Sequence, residues 1–166
     1  MNIDGIYSIF LLGEIKVKED KIFIRDIINE DYEILTELIE ELGYPSNKNN
    51  ISERLYKINS NKYYKTFVAE VDSKVVGFIG LCKLYAYEYD GEYVRIISLV
   101  VNEKYRGKGI GTELLKSGEK WAISEGAIAI ALNSGIKREK AHEFYKGNGY
   151  KIKGYSFSKS FDENNK

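Results

Sequence analysis

Residues Arg106-Gly107-Lys108-Gly109-Ile110-Gly111-Thr112 set two cations among three glycines, directly after the β-rich apolar run Leu99-Val100-Val101. Glycines lack a Cβ, so the backbone there can bend sharply and bring N–H groups close to a ligand oxygen. From Ile110 to Ile123 the apolar residues Ile110, Leu114, Leu115, Trp121 and Ala122 fall near one helical face. The loop therefore opens a helix whose first N–H groups lack intrahelical partners and carry partial positive charge. Such a helix start binds anions, and Arg106 adds a planar fork that fits phosphate oxygens, with Lys108 as a second charge. The expected ligand is a phosphate ester.

Two familiar phosphate loops do not fit. A Walker-type loop needs Gly-x-x-x-x-Gly-Lys followed by Ser or Thr, but Gly107-Lys108 is followed by Gly109 and preceded five residues earlier by Asn102. A dinucleotide fingerprint needs a third glycine where Thr112 stands, and it normally opens the first βαβ unit of a chain.

The pattern Arg-x-x-Gly-x-Gly, met by Arg106, Gly109 and Gly111, resembles motif A of the GNAT superfamily of acyl-CoA-dependent N-acetyltransferases. Downstream, the run from Arg138 through Ala141, Phe144 and Tyr145 to Gly149-Tyr150 resembles the family's Ala-x-x-Phe-Tyr-x-x-x-Gly-Phe/Tyr helix and turn. The resemblance covers about Ile22 to Phe161. It implies an α+β GNAT fold: a mixed, mostly antiparallel sheet of six to seven strands, splayed between the fourth and fifth and flanked by about four helices. It also implies acetyl-CoA as cosubstrate, with no metal.

By the same resemblance, the pantetheine arm runs beside the fourth strand and exchanges hydrogen bonds with the main chain of Leu99, Val100 and Val101, whose amides can also polarise the thioester carbonyl. The pyrophosphate would meet amides from Gly107 through Lys108, Gly109, Ile110 and Gly111 to Thr112, with charge from Arg106. Asn133 and Ser134 close the fifth strand, where the family places a group for the pantetheine or an ordered water. Arg138 and Ala141 would touch the coenzyme from the next helix, although Arg138 stands where Asn is commoner. Tyr145 aligns with the tyrosine that protonates the departing thiolate; a phenol with an unperturbed pKa of roughly 10 keeps its proton at neutral pH.

Family members often carry a glutamate base on the fourth strand, but register puts Arg95 at that place, and a cation cannot serve as base. Glu92 on the same strand takes the role in this reading, acting through water, with Glu88 and Asp90 as alternatives. His142, the single histidine, is expected in structure or coenzyme contact ahead of catalysis. Arg95 is either an exposed strand residue or a reader of an acidic acceptor.

The elements that must position these residues follow from hydrophobic spacing. A first strand is expected at Lys21 to Ile27, with Asn29 capping a helix from Glu30 to Leu42, and a shorter helix at Ile51 to Ile58. Strands are expected at Lys65 to Val71, Val75 to Tyr87 and Glu92 to Val101, joined by tight turns at Asp72-Ser73-Lys74 and Asp90-Gly91. Then come a helix at Gly109 to Glu125, a strand at Ala127 to Asn133, a helix at Lys137 to Gly147, and a strand or hairpin from Tyr150 to Phe161.

The chain has 166 residues, 25 basic and 25 acidic side chains, one cysteine and 14 tyrosines. That length suits one catalytic domain, residues 21–166, behind an N-terminal extension, residues 1–20. The balanced charge gives no field to recruit nucleic acid or an anionic membrane. Lone Cys82 reads as a small buried or half-buried side chain, and a reduced cytoplasmic setting is expected. The apolar run Ile6 to Leu12 is far short of the roughly 20 residues that span a bilayer, so no membrane partner is expected. Homodimer formation through exposed strands is open to such a domain.

The reading that joins these features is an acetyl-CoA-dependent N-acetyltransferase, which moves an acetyl group to a primary amine of a small molecule or peptide by direct attack in a ternary complex. The alternative is an acyl-CoA-binding regulatory module of the same fold without catalysis, which the missing carboxylate at position 95 would permit.

Overall fold

A computed structural model describes residues 21–43, 48–88 and 90–161. The expected N-terminal extension lies outside these residues. One sheet runs in the order β1 (Ile22–Asp26), β2 (Tyr64–Val71), β3 (Lys74–Tyr85), β4 (Glu92–Val101) and β5 (Ile130–Leu132). The first four strands pair antiparallel, and β5 lies parallel to β4. Helices α1 (Tyr32–Glu41) and α2 (Lys48–Asn59) join β1 to β2, α3 (Ile110–Ser124) joins β4 to β5, and α4 (Glu139–Gly147) follows β5.

The β2–β3 turn is two residues long, Asp72 and Ser73, with φ of 47° and 60°. Positive φ at both positions gives the twist that matches antiparallel strands.

Each helical layer covers one sheet face. Leu35, Leu38, Ile51 and Leu55 bury Val68, Phe78 and Val100 on one side. On the other, Ile110, Leu114, Leu115 and Ala122 of α3 bury Ala69, Ile79, Leu81, Val94 and Ile96. Glycines let α3 lie close: a Cβ on Gly118 would stand 3.1 Å from Ile79 Cδ1, and one on Gly77 would stand 3.3 Å from Leu114 Cδ1.

β4 carries one extra residue. Ile96 pairs with Leu81 and Ser98 with Gly80, leaving Ile97 unopposed in a β-bulge. The strand therefore changes which face its alternate residues serve. Val94 and Ile96 enter the α3 core, yet beyond the bulge Leu99 and Val101 pack there, and Val100 turns to α1 and α2. β5 is in register with Val94, Arg95 and Ile96 only, so among the described residues no strand lies beside the β4 edge from Ile97 to Val101 on the side away from β3. This is the splay expected between the fourth and fifth strands.

Three expectations change. The strand expected over Ala127 to Asn133 is regular only at Ile130–Leu132, although the Ile128 N–H donates to the Glu92 carbonyl and the Val94 N–H to that of Ala129. No strand forms over Tyr150 to Phe161: Tyr155, Phe157 and Phe161 alternate with polar residues but are 86–93% exposed, and no ladder satisfies their backbone. The sheet of the described residues accordingly has five strands rather than six or seven. Asn29 does not cap α1; it starts a 3-10 turn in which the Asp31 carboxylate accepts the Ile28 N–H at 2.9 Å and holds Arg25 in a two-pronged contact at 2.7 and 2.9 Å.

Candidate functional site

The glycine loop begins where β4 ends. Asn102 Oδ1 accepts the Lys104 N–H at 3.1 Å, and a 3-10 turn over Glu103–Tyr105 leads to Gly107 and Gly109, with φ of 79° and 81°. A Cβ at either glycine would meet nothing within 4 Å. Their requirement is conformational, and it leaves the space in front of the loop open. Gly109 stands at the N-cap of α3 without a side-chain cap, so no side chain there occupies the donors of the first turn.

Gly111 serves another purpose. Its missing Cβ makes room for the Phe144 ring, 3.3 Å away, and for Val101 Cγ2 at 3.8 Å. The two sequence motifs meet at this contact. Ile110 is buried, Thr112, Leu99 and Val101 are half-buried, and Arg106 and Lys108 are exposed.

Arg106 turns back toward the strand. Its Nε donates to the Val101 carbonyl at 2.9 Å, and its Nη2 lies 3.6 Å from Glu41 Oε2. Glu41, the last residue of α1, also accepts Asn102 Nδ2 at 2.6 Å and the Glu103 N–H at 3.2 Å. Sequence reasoning missed this carboxylate, because a separation of 61 positions from Asn102 leaves no spacing to read. Lys108 Nζ stands 5.4 Å from the Tyr105 ring centroid.

On α4, Tyr145 meets Phe144 and Tyr150 edge to face, with centroids 5.2 and 5.8 Å apart. Burial pushes the Tyr145 phenol up, with nearby Arg138 opposing, so it stays protonated across the neutral range. Among the described residues its hydroxyl makes no hydrogen bond, whereas that of Tyr150 donates to Glu119 Oε1 at 3.0 Å. Arg138 Nη2 donates to the Leu42 carbonyl at 3.3 Å, joining the start of α4 to the end of α1. His142 Nε2 lies 3.0 Å from the Gly135 carbonyl, a structural tie. Ala141 is half-buried on the same helix.

Two expected residues are engaged elsewhere. Asn133 Nδ2 donates to Ser156 Oγ at 2.7 Å, next to half-buried Ser134. Glu92 lies on the α3 side, 3.4 Å from Lys83 Nζ, which also holds Glu125 at 2.7 Å. A groove of about 440 Å³ opens between α1 and the start of β3, but none of the expected site residues lines it.

Residues 23–150 match the sequence profile of the acetyltransferase (GNAT) family. The chain is 32% identical over 130 residues to the aminoalkylphosphonate N-acetyltransferase of Salmonella typhimurium, covering 78% of this chain and 82% of that one. A GNAT family acetyltransferase of Staphylococcus aureus superposes with a TM-score of 0.73 at 34% identity, over 84% of this chain and 98% of that one. An aminoglycoside N-acetyltransferase solved with CoA has the same fold, with a TM-score of 0.77 at 16% identity over 86% and 97% of the two chains.

Proposed function

Because the chain belongs to the acetyltransferase (GNAT) family and is an N-acetyltransferase, we propose that its donor is acetyl-CoA and its acceptor a primary amine on a small molecule or peptide, attacking directly in a ternary complex. The carrying observation is the open glycine loop ahead of the uncapped α3 start, reached along the unpaired β4 edge from Ile97 to Val101. A diphosphate suits the first, and an extended amide-bearing arm suits the second. The Salmonella relative, named for a small-molecule acceptor, supports the acceptor class, and the CoA complex of the aminoglycoside enzyme supports the donor.

In this reading the neutral amine attacks the thioester carbonyl carbon, a C–N bond replaces the C–S bond, and the thiolate takes the Tyr145 proton. A water takes the surplus amine proton and relays it around the strand to Glu92, the one carboxylate that β4 carries, which stands on the α3 side beside Lys83. Leu99, Val100 and Val101 hold the arm, although the Val101 carbonyl already accepts from Arg106. The segment from Gly107 to Thr112 holds the diphosphate.

Thermal unfolding with acetyl-CoA, CoA, ATP and NAD in parallel tests the donor. A ligand at 100 times its Kd adds roughly 2.7 kcal/mol of stability. A rise with acetyl-CoA and CoA alone, diminished in Gly109→Val, supports the assignment. No rise with either, or a rise with ATP or NAD instead, overturns it.

A further inference from the structure

Cα pairing across the sheet places Tyr64, Cys82, Arg95 and Ala131 in one transverse row over β2, β3, β4 and β5. Paired residues in neighbouring strands point to the same face. Val94 and Ile96, on either side of Arg95, enter the α3 core, so this row belongs to the α1–α2 face. The neighbouring row toward the bulge is Thr66, Gly80 and Ser98, all small, and at Gly80 an added Cβ would find only Ser98, at 3.9 Å or more. The next row the other way is Leu84 and Tyr93. Small residues therefore stand next to Arg95 on this face. Arg95 lies two residues from Ile97, where the open β4 edge begins.

Arg95 is half-buried, yet among the described residues it makes no hydrogen bond, ion pair or ring contact. The other arginines differ: Arg25 holds Asp31 and Glu70, Arg106 holds the Val101 carbonyl and Glu41, Arg138 holds the Leu42 carbonyl, and Arg54 is partnered. No carboxylate stands in the Arg95 row or in either row beside it. A partly desolvated guanidinium without a counter-charge is a preformed site for a planar or tetrahedral acid group. Beside it, Cys82 and burial push the Tyr64 phenol up, which keeps that neighbour a hydrogen-bond donor.

We infer that Arg95 determines acceptor specificity, and that the acceptor is a small amine carrying an acid group, a phosphonate or a carboxylate. The inference rests on the acetyl-transfer reading above and narrows its acceptor. The acid group lies against Arg95, and the amine points along β4 toward the bulge. Polycationic amines are repelled.

The test compares kcat/KM for aminoethylphosphonate and for β-alanine with that for β-alaninamide, a neutral amine of similar length, in wild type, Arg95→Gln and Arg95→Lys. The ratio of acidic to neutral acceptor divides out any general loss of turnover or folding. In wild type it exceeds one by about tenfold, the equivalent of roughly 1.4 kcal/mol. It collapses in Arg95→Gln, mainly through KM, and is partly kept in Arg95→Lys; the stronger of the two acids identifies the class. An equal ratio in wild type and Arg95→Gln, or a wild-type preference for the neutral amine, overturns the inference. Failure of the underlying reading is distinct, since then no amine releases CoA thiol from either protein. In that event calorimetry with methylphosphonate decides: binding to wild type that Arg95→Gln abolishes supports the anion site, and equal or absent binding overturns it.

Discussion

The Phe144 ring lies 3.3 Å from the point where a Cβ on Gly111 would stand. Through this contact the first turn of α3 and the middle of α4 form one packed unit. Tyr145, the proposed acid, follows Phe144 directly, so its position depends on a glycine in the other motif. Gly107 and Gly109 act differently, through positive φ in open surroundings.

Gly111→Val drives its side chain into the Phe144 ring and Val101. Overpacking of this kind costs about 1–3 kcal/mol, more than the small gain from removing a helical glycine. Urea unfolding is expected to show that loss, and Phe144→Leu in the same chain to recover part of it. Two simply additive losses would mean that the residues do not interact.

Tyr145→Phe separates chemistry from packing. Among the described residues the hydroxyl has no partner to lose, so stability should stay within about 0.5 kcal/mol, while removal of a general acid lowers kcat by roughly 10²–10⁴. The sign of the pH effect follows from the upward shift. The folded phenol holds its proton better than the unfolded one, so its contribution to stability is complete below pH ~10 and is lost only as pH rises through the raised value. Steady-state rates between pH 6 and about 9.5 should show no Tyr145 limb. Glu92→Gln, by contrast, should lower kcat/KM.

Glu41→Ala cuts the carboxylate from Asn102, Glu103 and Arg106 at once. The ion pair is exposed, so the stability cost should not exceed about 1 kcal/mol. The freed loop must then order itself on binding, and the KM for acetyl-CoA is expected to rise roughly tenfold with a smaller change in kcat. Initial rates over an acetyl-CoA series read this directly.

Asp31→Asn leaves the Arg25 fork without its charged partner on a buried carboxylate, with only Glu70 at 2.9 Å remaining. The loss should exceed the roughly 1 kcal/mol of a surface pair and approach the 3–5 of a buried one. Arg25 and the Ile28 N–H hold the Asp31 carboxyl below its ordinary value against the opposing effect of burial. Its stabilisation is therefore present above pH ~4 and disappears as pH falls through the depressed value. Acidification should therefore cost wild type more stability than Asp31→Asn, each measured against its own value at neutral pH.

What the sequence disclosed were features with a local cause. Glu92–Val101 is bounded as expected because its apolar run ends at Asn102 and starts beyond a glycine turn. The α3 stripe and the Asp72-Ser73 turn are equally local. Long-range partners were not visible: Glu41 on the glycine loop, the Leu42 carbonyl under Arg138, and Lys83 beside Glu92. The residues from Tyr150 to Phe161 show the converse, since alternation supplies the period of a strand but not the neighbouring edge that makes one. The packing role of Gly111 has no local signal either, because only the fold brings Phe144 against it.

The unopposed Ile97 makes β4 a strand in two reading frames. Upstream, even-numbered residues address α3; downstream, odd-numbered ones do. Deleting this single residue would set Ile96 and Ser98 in succession opposite Leu81 and Gly80, so that Leu99 and Val101 stay with α3 and Val100 with α1 and α2 while the kink between the two halves of the strand is lost. Arg95 and the open edge would then belong to one unbroken strand, one residue closer together, without the bend that now sets them apart.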